Sequence, residues 1–401
     1  MTIKTTQLGF VLGRDHVLSV AELFALFARK NIEAKTVTHD RDILIVELDS
    51  DVKNAINLDE LGGTIKIFEV LATYSNFADI KPELIKIIPE NPEKRINFGV
   101  SGYGRLNKKV ILNLGYEIKE EIVSRDLSAR FVTGKSIDLS SVIVHENKLI
   151  ERGFEAIIYF DGKNYTIGRT LAVQNYKAYS KRDFGRPQRD DRNGMLPPKL
   201  AQIMINLAEA PLDGTVYDPF CGSGTILQEA ILLGYKNVYG SDLGIRNIED
   251  TKANLEWLSR ITNYQLPVDN VFVSDVLTPT KNIQADAIVG EGFLGDPFRR
   301  DKNQAIKDAE ELSTFYVQAL TNLAKQLKDG GRIVLAIPFF VVKNNEFVYL
   351  PILEKISETG LTLIKPDLGK TESKLFGRSN LTYSRADQFV GREILILEKQ
   401  A

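Results

Sequence analysis

The sequence predicts an α/β protein: a doubly wound, mostly parallel sheet over 196–401, preceded by an N-terminal α+β region over 1–165. Three observations predict it. Beyond residue 200 short apolar strands alternate with helical patterns, the grammar of a parallel sheet with crossover helices. The run Asp218-Pro219-Phe220-Cys221-Gly222-Ser223-Gly224-Thr225 places a glycine loop between a strand and a helix. Acidic residues, Asp218, Asp242 and Asp275, stand at three successive strand ends.

Taken in order, 9–12 is a short apolar strand, and Leu18, Ala21, Leu23, Leu26 and Phe27 recur at helical spacing after the possible cap Ser19. Residues 42–48 form a buried strand. The stretch 58–67 reads as a helix ended by Gly62-Gly63, then a strand. Strand 97–101, a helix around 118–124, strand 129–132, the β-branched run 142–144 and strand 156–160 complete the first region. Residues 163–199 hold nine Lys/Arg against three Asp, a local +6, interleaved with Tyr165, Tyr176, Tyr179 and Phe184. We read 166–195 within this stretch as a basic linker into the second domain. There, strands at 216–218, 238–242, 271–275, 287–289, 332–337 and 393–397 are separated by helices at 225–233, up to about 258, and at 304–327. The last helix carries an apolar stripe through Ala309, Tyr316, Leu320 and Leu323, as a core helix does.

Composition narrows the function. The 401 residues suffice for two or three domains and an ample core. The formal charge of −2 argues against a protein that coats nucleic acid indiscriminately, although a net value hides local patches. A single cysteine, Cys221, allows no internal disulfide and fits a reducing, cytoplasmic setting. His16, His39 and His145 form no metal-binding pattern, so no metal is expected. No segment reaches the roughly 20 apolar residues of a membrane span, and the N-terminus lacks a signal-peptide pattern.

The glycine loop carries the chemistry. Gly222 and Gly224 let a ligand approach backbone where a Cβ would clash. Asp242 is placed to accept both hydroxyls of a ribose, and Asp275 could meet an adenine amino group. Dinucleotides and S-adenosyl-L-methionine both use this geometry. Two details favour the latter: Leu227 stands where a third glycine would be, and Asp218 would repel a pyrophosphate but suits a sulfonium and an ammonium.

The loop DPFCGSGT resembles motif I of Rossmann-like S-adenosylmethionine-dependent methyltransferases that modify exocyclic amino groups. Further segments, GRDHVLSVAELFAL near the start, LGGTIK at 61–66, RDFGRPQRDDRNGMLPPKLAQIMINLA at 182–208 and LTYSRADQFVGREILIL at 381–397, resemble the THUMP-domain tRNA guanosine-N2 methyltransferases over nearly the whole chain. The resemblance implies an N-terminal ferredoxin-like plus THUMP region that binds tRNA and a C-terminal methyltransferase domain. It implies a cofactor site lined by Asp218, Phe220, Gly222, Gly224, Asp242 and Asp275, and guanine N2 as the methyl acceptor. Some members act with a small activating subunit, and nothing in these residues reports on one.

One segment departs from that family. Its (D/N)PP(Y/F) loop supplies oxygens that localise the lone pair of a conjugated amino nitrogen and a ring that stacks on the extruded base. Here the register reads Glu291-Gly292-Phe293-Leu294. An acceptor survives in Glu291 and an aromatic in Phe293, while Gly292 predicts a looser loop than Pro-Pro. Three readings compete: methylation of guanine N2 through Glu291 and Phe293, an amino target on another nucleobase or DNA, and a catalytically weak tRNA-binding protein that keeps the cofactor pocket. Arg182, Arg186, Arg189 and Lys199 are the candidate RNA contacts, since cations neutralise phosphates and the neighbouring rings stack on bases. A solvated linker would carry the same residues. The segment 370–392 could close the site or form a hairpin at the sheet edge.

Overall fold

The computed structural model describes residues 5–89, 95–189, 195–262, 268–298, 300–343, 346–369, 381–385 and 388–400. The chain divides into two compact units: Met1–His16 with Ile32–Ala178, and Val17–Asn31 with Tyr179–Ala401. Helix α1 (His16–Arg29) thus belongs, after its first residue, to the second unit. Its residues 18–27 are all buried, as an apolar helix without a polar face requires. Its one interior acid, Glu22, accepts a hydrogen bond of 2.9 Å from Asn206.

The first unit is one mixed sheet of eight strands: β1 (Thr5–Leu12), β2 (Ala34–His39), β3 (Ile43–Asp49), β4 (Thr64–Tyr74), β5 (Ile96–Gly104), β6 (Ala129–Val132), β7 (Gly153–Phe160) and β8 (Tyr165–Val173), in the order β2-β3-β1-β4-β8-β7-β5-β6. Helices α2 (Ile80–Lys86), α3 (Lys108–Ser124) and α4 (Ser141–Glu146) accompany it. A buried ion pair binds its middle strands. Lys66 on β4 meets Glu155 on β7 at 2.5 Å, and Ser101 on β5 and Thr170 on β8 each donate to the same carboxylate at 2.6 Å. Four neighbouring strands therefore share one satisfied polar centre, which a register slip would break.

Three expectations change here. The stretch 58–67 holds a single 3-10 turn at Leu58–Glu60 before β4, not a helix. The β-branched run at 142–144 lies in α4, whose start is capped by Ser140 Oγ. The expected linker 166–195 is largely folded: Tyr165–Val173 is an interior strand paired with β4 and β7, and Tyr176–Phe184 forms helix α5. The unit boundary falls inside that helix, at 178/179, rather than at 165. A local charge excess marks surface on folded elements as readily as a linker.

The second unit is the doubly wound sheet. Strands β9 (Thr215–Asp218), β10 (Asn237–Asp242), β11 (Val271–Val273), β12 (Ala285–Glu291) and β13 (Leu327–Val341) are parallel, in the order β11-β10-β9-β12-β13. Short strands β14 (Phe347–Tyr349), β15 (Leu361–Leu363) and β16 (Thr382–Tyr383) and the long β17 (Val390–Lys399) add antiparallel pairs, β17 lying beside β13 and β15. Helices α6 (Pro198–Leu207), α7 (Thr225–Leu232), α8 (Ile245–Thr262) and α9 (Lys302–Gln326) complete the layers. Tyr316, Leu320 and Leu323 of α9 pack with Ile333, Leu335, Leu395 and Leu397 in one core cluster. Strand order reverses between β9 and β12, and a crevice outside the carboxyl ends of strands at such a point is where open α/β sheets bind ligands. Among the described residues no helix is long and apolar enough to cross a membrane.

Candidate active site

The glycine loop leaves β9 at that switch point. Gly222 and Gly224 both have left-handed backbone, φ +51° and +84°, a conformation glycine adopts without strain. A Cβ on Gly224 would lie 2.9 Å from Thr251. Helix α8 holds the loop from outside: Thr251 Oγ1 donates to the Gly222 carbonyl at 2.7 Å, and Asn254 Nδ2 donates to the Ser223 carbonyl at 2.8 Å.

The acids follow from strand register. Asp242, at the end of β10, accepts the Gly222 N–H at 3.0 Å on Oδ2 and the Gly244 N–H and Asn247 amide at 2.8 Å on Oδ1. Each oxygen is oriented and keeps further acceptor capacity. Beside it Leu243 and Ile245 are 72% and 68% exposed, an apolar shelf next to a fixed carboxylate. Asp275 lies two residues beyond β11, half-buried, and accepts the Leu277 N–H at 2.8 Å. Asp218 is buried and accepts the Phe220 N–H at 3.0 Å. Burial pushes its carboxyl well above the usual carboxylate range, and the nearby charges of Asp242 and Glu291 push the same way. Phe220 is half-buried and packs toward Phe315, ring centres 6.4 Å apart.

Glu291 ends β12, opposite Ala336 of β13. Its Oε1 accepts a hydrogen bond from Arg392 Nε on β17, with side-chain exposures of 17% and 4%. Burial raises the Glu291 carboxyl, and the Arg392 guanidinium opposes the rise. The loop beyond it is not loose. Gly292 donates to the Ala336 carbonyl at 3.1 Å, and a Cβ there would sit 2.4 Å from Tyr316 Oη. The same hydroxyl donates to the Phe293 carbonyl at 2.8 Å. Glycine here admits a tyrosine ring rather than motion, which corrects the expectation of a looser loop. The Phe293 ring is 59% exposed, so it is no core contact. Arg300 organises the far side of the loop through the Asp296 and Phe298 carbonyls and Asp308.

The candidate RNA contacts separate into two kinds. Arg182 is ion-paired at 2.7 Å with Glu229, whose side chain is 2% exposed. Arg186 is buried, donating to Thr225 Oγ1 at 2.7 Å and Met195 Sδ at 3.0 Å. Neither presents its charge outward, which corrects the expectation of a common RNA-facing row. Arg189 and Lys199 are exposed, lying over the Phe184 and Tyr179 rings at 5.4 and 5.2 Å. Of the segments expected near the site, 190–194, 370–380 and 386–387 lie outside the described residues.

Sequence reasoning missed Arg392, Tyr316, Thr251 and Asn254 as site residues. A charged pair, Arg392-Glu393, inside an apolar strand was the available signal for the first, because a buried guanidinium needs a buried acid. Cys221 is buried and burial pushes its thiol up, so it stays protonated. Among the described residues no group of three or more His, Cys, Asp or Glu could hold a metal. A cavity of about 450 Å³ in the first unit, lined by His39, Asp40, Arg105, Asp161 and Lys163 among others, mixes both signs of charge.

The donor set fits S-adenosylmethionine. Gly222 has no atom closer than 3.9 Å to its would-be Cβ, leaving open space above the loop. Asp242 accepts the N–H of Gly222 itself, and the exposed Leu243 and Ile245 adjoin that acid in sequence.

Comparison with known proteins agrees with this geometry. Residues 186–289 match the model of the UPF0020 family, described as RMKL-like, methyltransferase domain. The chain is 31% identical over 182 residues, 44% of its length, to a tRNA (guanine(10)-N2)-dimethyltransferase of Methanothermobacter thermautotrophicus, and spans about half, 48%, of that relative. It is 27% identical over 334 residues to the enzyme of the same description from Pyrococcus abyssi, covering 82% of this chain and 87% of that one. Among solved structures, TrmN from Thermus thermophilus aligns over 99% of this chain and 100% of its own with a TM-score of 0.55 at 16% identity, a likeness of fold. The strands that carry the glycine loop and its acids at the switch point are thus the part of the chain similar to the RMKL-like methyltransferase domain of the UPF0020 family.

Proposed function

We propose that the protein is a cytoplasmic S-adenosylmethionine-dependent methyltransferase acting on an exocyclic amino group of tRNA, guanine N2. The observation that carries the reading is the placement of Glu291 at the end of β12, beside the acid-lined glycine loop and followed by the exposed ring of Phe293. The relatives' tRNA guanine-N2 descriptions support the choice of substrate.

Asp242 would hold the ribose hydroxyls, Asp275 the adenine amino group, and Asp218 with the glycine loop the methionine end. Bound there, the cofactor supplies a methyl group on a sulfonium, whose bonding pair stays with sulfur. The chain's own residues do the rest. Phe293 stacks on the extruded base. Oε2 of Glu291 makes no hydrogen bond among the described residues. It accepts an N–H of the target amine, turns the nitrogen lone pair out of conjugation, and takes the proton released when the new N–C bond forms. Tyr316 fixes the loop so that these groups are presented together, and such positioning supplies much of a rate enhancement. Arg189 and Lys199 contribute phosphate contacts.

Incubation with labelled cofactor and unmodified tRNA, followed by nucleoside mass spectrometry, tests the reading. Labelled N2-methylguanosine or its dimethyl form is expected. Cofactor binding without any labelled nucleoside would overturn it.

A further inference from the structure

The Glu291–Arg392 pair joins the last residue of β12 to β17, 101 positions apart in sequence. We propose that Arg392 is a positioning residue for methyl transfer: through its Nε it keeps Glu291 ionised and turns Oε2 toward the target amine. The inference rests on the role given to Glu291 above and assigns a second residue to it.

Burying a carboxylate favours its neutral form, and a neutral acid is a weaker acceptor for an N–H. Among the described residues, every other charged or titratable group facing Glu291 makes ionisation harder or leaves it unchanged. From β9 comes the Asp218 carboxyl, of the same sign. From α9 comes Tyr316, a buried hydroxyl committed to the Phe293 carbonyl and itself held neutral by burial. The β13 neighbour is Ala336. Among the described residues only Arg392, on β17, supplies positive charge, and its planar guanidinium fixes the carboxylate's orientation where a flexible ammonium would not. The aromatic ring of Tyr383 lies 5.9 Å from that guanidinium and faces it from β16. An amino-group methyltransferase loop with Asp or Asn followed by Pro-Pro fixes its acceptor through backbone stiffness. Here a longer Glu side chain is fixed instead by a cation from another strand.

The test uses the full chain with carbon-13 labelled glutamate, the Glu291 resonance being assigned by its loss in Glu291→Gln. In Arg392→Met the Glu291 titration midpoint rises by about 1–3 pH units. In Arg392→Lys, which keeps the charge but not the Nε contact, it rises by less, and this variant carries the test if the first does not fold. Single-turnover methyl transfer to tRNA then loses about tenfold or more at neutral pH in Arg392→Met. Its acid limb moves upward with the midpoint, the rate recovers at alkaline pH, and the cofactor Kd stays unchanged. An unchanged Glu291 midpoint, or a loss uniform across pH, overturns the proposal and leaves Arg392 as packing. A shifted midpoint in a chain whose wild type transfers no methyl supports the Arg392–Glu291 linkage and overturns the function proposed above instead.

Discussion

Tyr316 donates its hydroxyl hydrogen to the carbonyl of Phe293 at 2.8 Å, and the same ring fills the space where Gly292 would carry a Cβ. One buried side chain on α9 thus sets the backbone of the loop after β12. In Tyr316→Phe the loop loses that anchor, and the methyl-transfer rate falls about tenfold, as when about 1.4 kcal/mol of positioning is lost. Cofactor affinity by calorimetry stays within about twofold. A variant with unchanged turnover would remove Tyr316 from the mechanism.

Gly292→Ala tests the other half of the contact. The added methyl overlaps Tyr316 Oη, and overpacking in a rigid site costs about 1–3 kcal/mol. Urea denaturation should report that loss, and the double variant with Tyr316→Phe should recover part of it, because the hydroxyl is the nearest atom struck while the ring carbon Cε1, at 2.6 Å, remains. Simple additivity would argue against the clash.

Asp242 is the residue on which cofactor affinity should depend most. It orients the loop through Gly222 and holds Gly244 and Asn247. Asp242→Ala removes charge-assisted acceptors worth about 1.5–3 kcal/mol each, so calorimetry should show cofactor Kd weakened by at least about tenfold. Wild-type affinity in this variant would exclude the ribose assignment.

Asp218 sets a pH dependence with a definite sign. Its folded pKa is raised above the unfolded value, so the folded state holds more protons than the unfolded chain above about pH 4. Wild-type stability without cofactor therefore falls as pH rises through that region. Asp218→Asn escapes the fall, so its stability relative to wild type improves with pH. Cofactor binding favours the ionised acid in the wild type and tightens as pH rises, and that slope is lost in the variant. Denaturation and calorimetry at several pH values check both signs, and parallel stability profiles for the two proteins would refute the assignment.

Arg182 and Arg189 should behave oppositely. Arg182→Ala strands Glu229 as a buried acid without its partner, a change that costs about 3–5 kcal/mol and should lower Tm without a specific change in the salt slope of RNA binding. Arg189→Ala leaves Tm within about a degree and lowers that slope by roughly one. The reverse pattern would return Arg182 to the RNA contacts.

The sequence by itself determined the doubly wound unit and the glycine-loop site. Strand periodicity, Gly222 and Gly224, and Asp218 and Asp242 at strand ends are local features, and local residue order dictates them. Only the tertiary structure decided what those residues meet. Helix α1, read correctly as a helix, joins the second unit because its continuous apolar surface is buried there. The +6 stretch divides into buried partners and exposed cations, because charge counts carry no direction. Glu291 gains Arg392 from 101 residues away, and Gly292 becomes a rigid contact rather than a hinge, because a side chain from α9 fills the space beside it. Long-range register brings such pairs together, and a single sequence does not print register. What looked like a weakened loop is a differently supported one.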